Sequence, residues 1–303
     1  SLWLNSTGNV APAVYMSWTG LNCLVPNALD PTSVVSMTVY TESSYCTLDM
    51  HGCDQTIDRI VASSKNNRYL TSGSAARMTM NVTENSSSTC VIQGAVTIVY
   101  NPPSSETTYT IADGTHSTTG DLIISNGTFV VGGASTFEKV KTVAVSDGAT
   151  LDVASTATAP LGNGTVALRL DSEATMTLPE NGTLSVKELW VNGVRKDGGT
   201  YTHENLPQLA DNGASITVPN WTRDPITFTW TGQGATPVWS DPDNWDAGDG
   251  LVPKGDIGDS VILSNDGTTP VIENDIEGLT LGGLTFKGSQ TVTLEGLGVQ
   301  LKD

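Results

Sequence analysis

Chemistry in a protein of this kind would need a nucleophile beside a base, paired carboxylates, or a cluster of metal ligands. The chain has three histidines, His51, His116 and His203, widely separated in sequence and outside any catalytic motif. His51, beside Cys53 and Asp54, is the most reactive grouping on paper, and it reads more simply as a turn histidine. The densest acidic cluster is Asp241, Asp243, Asp246 and Asp249, within the Gly-containing segment 240–250. Hard cations take several oxygen ligands from such loops, so calcium is the one cofactor the sequence suggests; the segment lacks the spacing and closing Glu of an EF-hand. Trp239 and Trp245 flank these acids, and Trp230 and Trp221 lie nearby. Flat aromatic faces suit the apolar faces of sugar rings, which makes Trp230, Trp239 and Trp245 candidate glycan ligands, and the competing reading makes them buried anchors of a thin sheet. Glycoside or lyase chemistry would combine carboxylates with basic groups on an open groove. The candidate bases Lys139, Lys141, Arg195 and Lys196 read as solvated charges, and no residue is assigned a catalytic role.

The four cysteines, Cys23, Cys46, Cys53 and Cys90, all fall within the first 90 residues. In an exported chain an even number points to disulfides, with all three pairings open, and unpaired core thiols are the alternative. No Cys-x-x-Cys pair or histidine cluster supports zinc. A formal charge of -18 disfavours nucleic acid and anionic membrane surfaces as partners. No stretch approaches the roughly 20 apolar residues of a membrane span, and residues 1–20 lack the pattern of a signal peptide, so an exported form would have lost its signal.

The elements that position these residues are strands. Charged residues are only 15%, while Ser, Thr, Asn and Gly are abundant, a balance suited to sheets with hydroxyl-bearing outer faces and tight turns. Residues 1–105 form an irregular β region with strand-like runs at 34–40, 76–82 and 90–100, ending at the break Asn101-Pro102-Pro103-Ser104-Ser105. From residue 106 a unit repeats: a strand, an Asn-Gly or Asp-Gly turn, and a strand. The turns centre on Gly127 and Gly148, and a third copy has Glu173 where Gly would sit. The steps of 21 and then 25 residues match stacked solenoid coils, each burying its apolar face on its neighbours. Turn chemistry alone permits β-sandwich hairpins as well. The regular period favours a right-handed parallel β-helix, with β-sandwich modules as the alternative.

Two later segments carry a resemblance. The order Asn181-Gly182-Thr183-Leu184, Leu189-Trp190-Val191-Asn192-Gly193-Val194 and Gly199-Thr200-Tyr201-Thr202 resembles the passenger-type β-strand repeats of bacterial autotransporters and giant surface proteins. A second block is similar to the opening of such a repeat. It contains Trp230-Thr231-Gly232, Trp239-Ser240-Asp241, Asn244-Trp245, Pro253 and Gly258-Asp259-Ser260.

The expected organisation is therefore an irregular region at 1–105, a solenoid block at 106–221 and a second block beginning at 222–303. The resemblance implies an extracellular or cell-surface location, a stalk or adhesive spacer without catalysis, and continuation into further domains of a longer chain. The rival is a glycan-binding accessory region of a secreted glycoside hydrolase or polysaccharide lyase. Seven Asn-x-Ser/Thr sequons occur, three of them Asn-Gly-Thr. In a bacterial source they are expected to be bare, because turn geometry already explains them.

Overall fold

The computed structural model describes residues 2–7, 13–17, 19–39, 44–62, 67–162, 164–219, 225–247, 250–254, 258–264, 271–288 and 291–302. It divides into two compact units, residues 1–192 with 198–219, and residues 193–197 with 220–303.

The first unit is a parallel β-solenoid with three faces. The first face stacks Leu2–Leu4, Gly20–Cys23, Cys46–Asp49, Arg68–Thr71, Val91–Gly94, Thr115–Thr118 and Thr136–Phe137. The second stacks Ala13–Ser17, Val34–Thr38, Arg59–Ala62, Ser86–Ser88, Thr108–Ala112, Thr128–Gly132, Thr150–Val153 and Thr175–Thr177. The third runs from Gln55–Ile57 through Ala76–Met80, Val96–Tyr100, Leu122–Ile124, Thr142–Val145 and Ala167–Leu170 to Glu188–Val191. Every ladder on these faces is parallel, which excludes the antiparallel sandwich. Partners along the second face are 20 to 26 residues apart, so the period legible around Gly127 and Gly148 extends back to Ala13.

Register turns alternation into columns. Tyr109, Phe129, Leu151 and Met176 stack inward on the second face, and Ile98, Leu122, Val143, Leu168 and Leu189 on the third. All nine are buried in one continuous core from Met16 to Val218. Outward, Thr108, Thr128, Thr150 and Thr175 form a column of β-branched side chains suited to a pleated, half-solvated surface. The run 90–100 is two strands on different faces. Gly94 turns the corner at φ 74, and a Cβ there would lie 2.3 Å from the Ser72 carbonyl oxygen, so only glycine fits. Glu173, the irregular third copy, has no positive φ; its N–H donates to Asp147 Oδ1 at 2.8 Å while its carbonyl accepts from Gly148. The double-proline segment is a corner between Val96–Tyr100 and Thr108–Ala112, and the sheets run on past it. The unit ends in a small sheet where Ser215–Val218 pairs parallel with Thr183–Ser185 and antiparallel with Gly199–Tyr201.

The second unit builds its own parallel stack. Thr227–Thr229, Ser260–Ser264 and Gly283–Lys287 form one sheet, Val271–Asn274 pairs with Thr293–Gly296, and Thr280–Leu281 pairs with Gln300–Leu301. Its core gathers Phe228, Trp230, Trp239, Trp245, Val261, Leu263, Ile272, Leu279 and Leu281. The first coil is the longest, because Thr227 pairs with Ser260 while Ser260 pairs with Gly283. The extra length holds the tryptophan loop and a 3₁₀ turn at Pro242–Asn244, the one helical turn among the described residues.

Candidate functional site

The loop from Trp230 to Gly250 carries the strongest sequence signature, and its polar groups turn inward on the loop itself. Asp241 caps the 3₁₀ turn, accepting from the Asp243 N–H at 3.1 Å ahead of Pro242 at the first helical position. Asn244 is buried and uses its whole amide. Its Nδ2 donates to the carbonyls of Thr236 (2.7 Å) and Val238 (2.9 Å), and its Oδ1 accepts from the Gly234 N–H at 2.9 Å. Asp246 Oδ1 accepts from the Thr229 N–H at 2.7 Å, joining the loop's end to the first strand. Asp259, fully buried, accepts from the N–H groups of Ile226 (3.1 Å) and Lys254 (2.7 Å). The Asn-Trp and Gly-Asp motifs are thus backbone staples. They satisfy loop donors and acceptors that burial would otherwise leave unpaired.

These bonds bear directly on the calcium expectation. Asp241 and Asp246 each already accept a backbone N–H, and Asp249 lies outside the described residues. Among the described residues no group of three or more His, Cys, Asp or Glu side chains is placed to hold a metal ion.

The tryptophans correct the glycan-platform expectation. Trp239 is fully buried, and Trp230 and Trp245 are 4% and 5% exposed. Trp245 is the hub: its ring meets Phe228, Trp230 and Trp239 edge-on at centroid distances of 5.8, 5.0 and 5.5 Å. Its Nε1–H donates to the Trp239 carbonyl at 2.9 Å. Edge-to-face packing is the favoured geometry for buried rings, and it leaves no face open to a sugar. Trp221 lies outside the described residues.

The disulfide expectation is also corrected, because all four cysteines are free thiols. Register supplies the reason for Cys46 and Cys90. Cys46 pairs with Arg68, and the Val91–Tyr69 pairing sets Cys90 against Arg68 from the other side. Two strand spacings of ~4.8 Å separate their backbones, beyond the ~7 Å a disulfide tolerates. Cys90 Sγ instead sits 3.8 Å from Met37 Sδ, and Cys46 Sγ lies 3.5 Å from the carbonyls of Met16 and Thr38. Burial pushes the Cys23 and Cys90 thiols up to about 12, the signature of inert core residues. Cys53, at a partly exposed corner, faces the His51 carbonyl at 3.9 Å.

Two buried polar residues escaped sequence reasoning. Arg68, 1% exposed, lies between Cys46 and Cys90, its Nε donating to the Met37 carbonyl at 3.2 Å and Nη2 to that of Val39 at 3.3 Å. Burial lowers its pKa, and the backbone carbonyls at the corner after Val34–Thr38 take up its donors. His116, fully buried, occupies a position in the inward column Leu21, Leu48, Leu70, Ile92, His116, Phe137. Its Nδ1 accepts from the Ile92 N–H at 3.1 Å and its ring stacks on Phe137 at 4.5 Å. That bond places the proton of the neutral ring on Nε2, and burial lowers the pKa to about 4.

The other histidines are engaged separately. His51 adopts φ 47 at a corner, stacks on Trp3 at 5.5 Å and faces Asn22 Oδ1 through Nε2 at 3.0 Å. His203 Nδ1 donates to the Leu209 carbonyl at 2.7 Å. Lys139 and Lys141 are exposed beside the strand Thr136–Phe137, and Arg195 and Lys196 are half-buried in the second unit. No helix among the described residues is long and apolar enough to cross a membrane. Comparisons with protein-family models, curated proteins and solved structures return no match for this chain.

Proposed function

We propose that the chain is a non-catalytic β-solenoid segment of a large exported bacterial surface protein, of the kind built from passenger-type strand repeats, and that it serves as a stalk or spacer. The observation that carries this reading is the register. In the first unit each coil pairs only with the coil before and after it, over one apolar core from Met16 to Val218. Such an array is a set of elements in series, rigid along the stack because every coil is held by parallel ladders on its faces. The eight strands of the second face rise about 34 Å at ~4.8 Å per strand. The staples around Asn244, Asp246 and Asp259 support the same reading, since they hold a loop shut.

Single-molecule pulling between the chain ends tests this. A spacer resists force and then yields coil by coil, each step releasing 20 to 26 residues, or about 7 to 9 nm of contour at ~3.5 Å per residue. A chain that gives way in one event at low force would count against it. A glycan array is the complementary experiment: tight polysaccharide binding would replace the spacer with the carbohydrate-accessory reading.

A further inference from the structure

We propose that the open N-terminal end of the first unit is a self-association surface, at which two copies of this chain join end to end by antiparallel pairing of their Ala13–Ser17 strands. Leu2–Leu4 and Ala13–Ser17 are the outermost strands of their faces, and among the described residues each is paired on one side only, with Gly20–Cys23 and Val34–Thr38. Leu2 heads the inward column that continues through Leu21, Leu48 and Leu70. It is 59% exposed while the next three are buried, so the end of the stack is a cut across the core. Trp3 and Tyr15, 56% and 84% exposed, add aromatic surface on the same coil.

Edge strands are ordinarily guarded by charges, proline, bulges or a covering element. Residues 1–29 contain no Asp, Glu, Lys, Arg or His, and neither edge strand contains proline. The opposite end differs. The strands Gly283–Lys287 and Thr293–Gly296 of the second unit carry Lys287 and Glu295, and Lys302 follows Gln300–Leu301.

Charge also selects the partner. A chain of formal charge -18 repels its own copy over most of its surface, and this first coil is where two copies meet without like charges. The strand matches itself: antiparallel pairing about its centre sets Tyr15 opposite Tyr15 and Ala13 opposite Ser17, an aromatic cross-strand pair on a two-fold axis. A two-fold contact closes at the dimer, whereas head-to-tail addition would need the charged edge and would stay open.

Sedimentation equilibrium of the 303-residue chain at low and high salt tests the proposal. A dimer of twice 31.7 kDa is expected, persisting or tightening as salt screens the acidic surfaces. Tyr15→Lys changes an outward side chain without touching the core, faces two lysines across the axis, and should halve the mass while leaving the circular dichroism melt of the monomer unchanged. Tyr45→Lys, at another exposed tyrosine (61%), should leave the dimer intact. A monomer at every concentration, a dimer unaffected by Tyr15→Lys, or open-ended polymers would each overturn it.

Discussion

His116 makes the first unit sensitive to acid in a way that can be worked out in advance. Its imidazole sits in an otherwise apolar column, accepts the Ile92 N–H through Nδ1, and has its pKa lowered by burial from 6.5 to about 4. Protonation would put a hydrogen on Nδ1, facing the Ile92 donor, and a charge in the core. An unfolded chain meets neither penalty and binds its proton near pH 6.5, so between pH 6.5 and 4 the unfolded state binds more protons and stability falls as pH falls. The loss attributable to this residue is about 1.4 kcal/mol at pH 5.5 and about 3 kcal/mol at pH 4. Carboxylates titrate in the same range, so the useful measurement is a difference. His116→Leu suits the column by size and cannot titrate, but it leaves the Ile92 N–H unpaired, which costs about 1 to 3 kcal/mol at neutral pH. Urea titrations followed by far-ultraviolet circular dichroism should show the variant less stable at pH 7.5, with the gap closing or reversing by pH 4. Parallel stability profiles for the two proteins would refute the assignment of His116 as a buried neutral ring.

Further outcomes follow from the packing. Trp245→Ala removes the hub of three edge-on contacts and the bond to the Trp239 carbonyl, and should cost the second unit about 3 to 5 kcal/mol, read as loss of near-ultraviolet tryptophan dichroism. Gly94→Ala drives a methyl against the Ser72 carbonyl at a positive-φ corner and should destabilise the first unit by more than the ~1 kcal/mol typical of a glycine change, measured by urea midpoint. Thiol titration of the native chain should find Cys53 reacting first and Cys23 and Cys90 only on unfolding, with four thiols in denaturant; fewer than four would mean a disulfide exists after all.

The solenoid was legible where its corners use Asn-Gly and Asp-Gly, because those turns mark equivalent points of successive coils: Thr128, Thr150 and Thr175, just past them, are register partners. It was illegible before residue 105 for two physical reasons. Corners there place non-glycine residues at positive φ, as at Asn27 (φ 50) and His51 (φ 47), so the usual punctuation is missing. Coil length also varies, so a column such as Leu48, Leu70, Ile92 and His116 has no fixed spacing to detect. The same blindness misjudged the cysteines, whose two-coil separation about Arg68 exists only in the stack. In the second unit the Trp and Asn-Trp pattern marked the right loop. Its acids suggested a cation because sequence does not reveal that Asp241 and Asp246 are engaged by backbone N–H groups of their own neighbourhood.

The register partners of the first unit, 20 to 26 residues apart on the second face, also set how the chain reaches this state. A strand needs only the preceding coil as its template, and closing a loop of that size costs little more entropy than closing one half as long. Nucleation is the slow event and growth is local, so the unit can assemble vectorially as it emerges from a ribosome or a secretion pore, with each finished coil blocking backsliding of the chain.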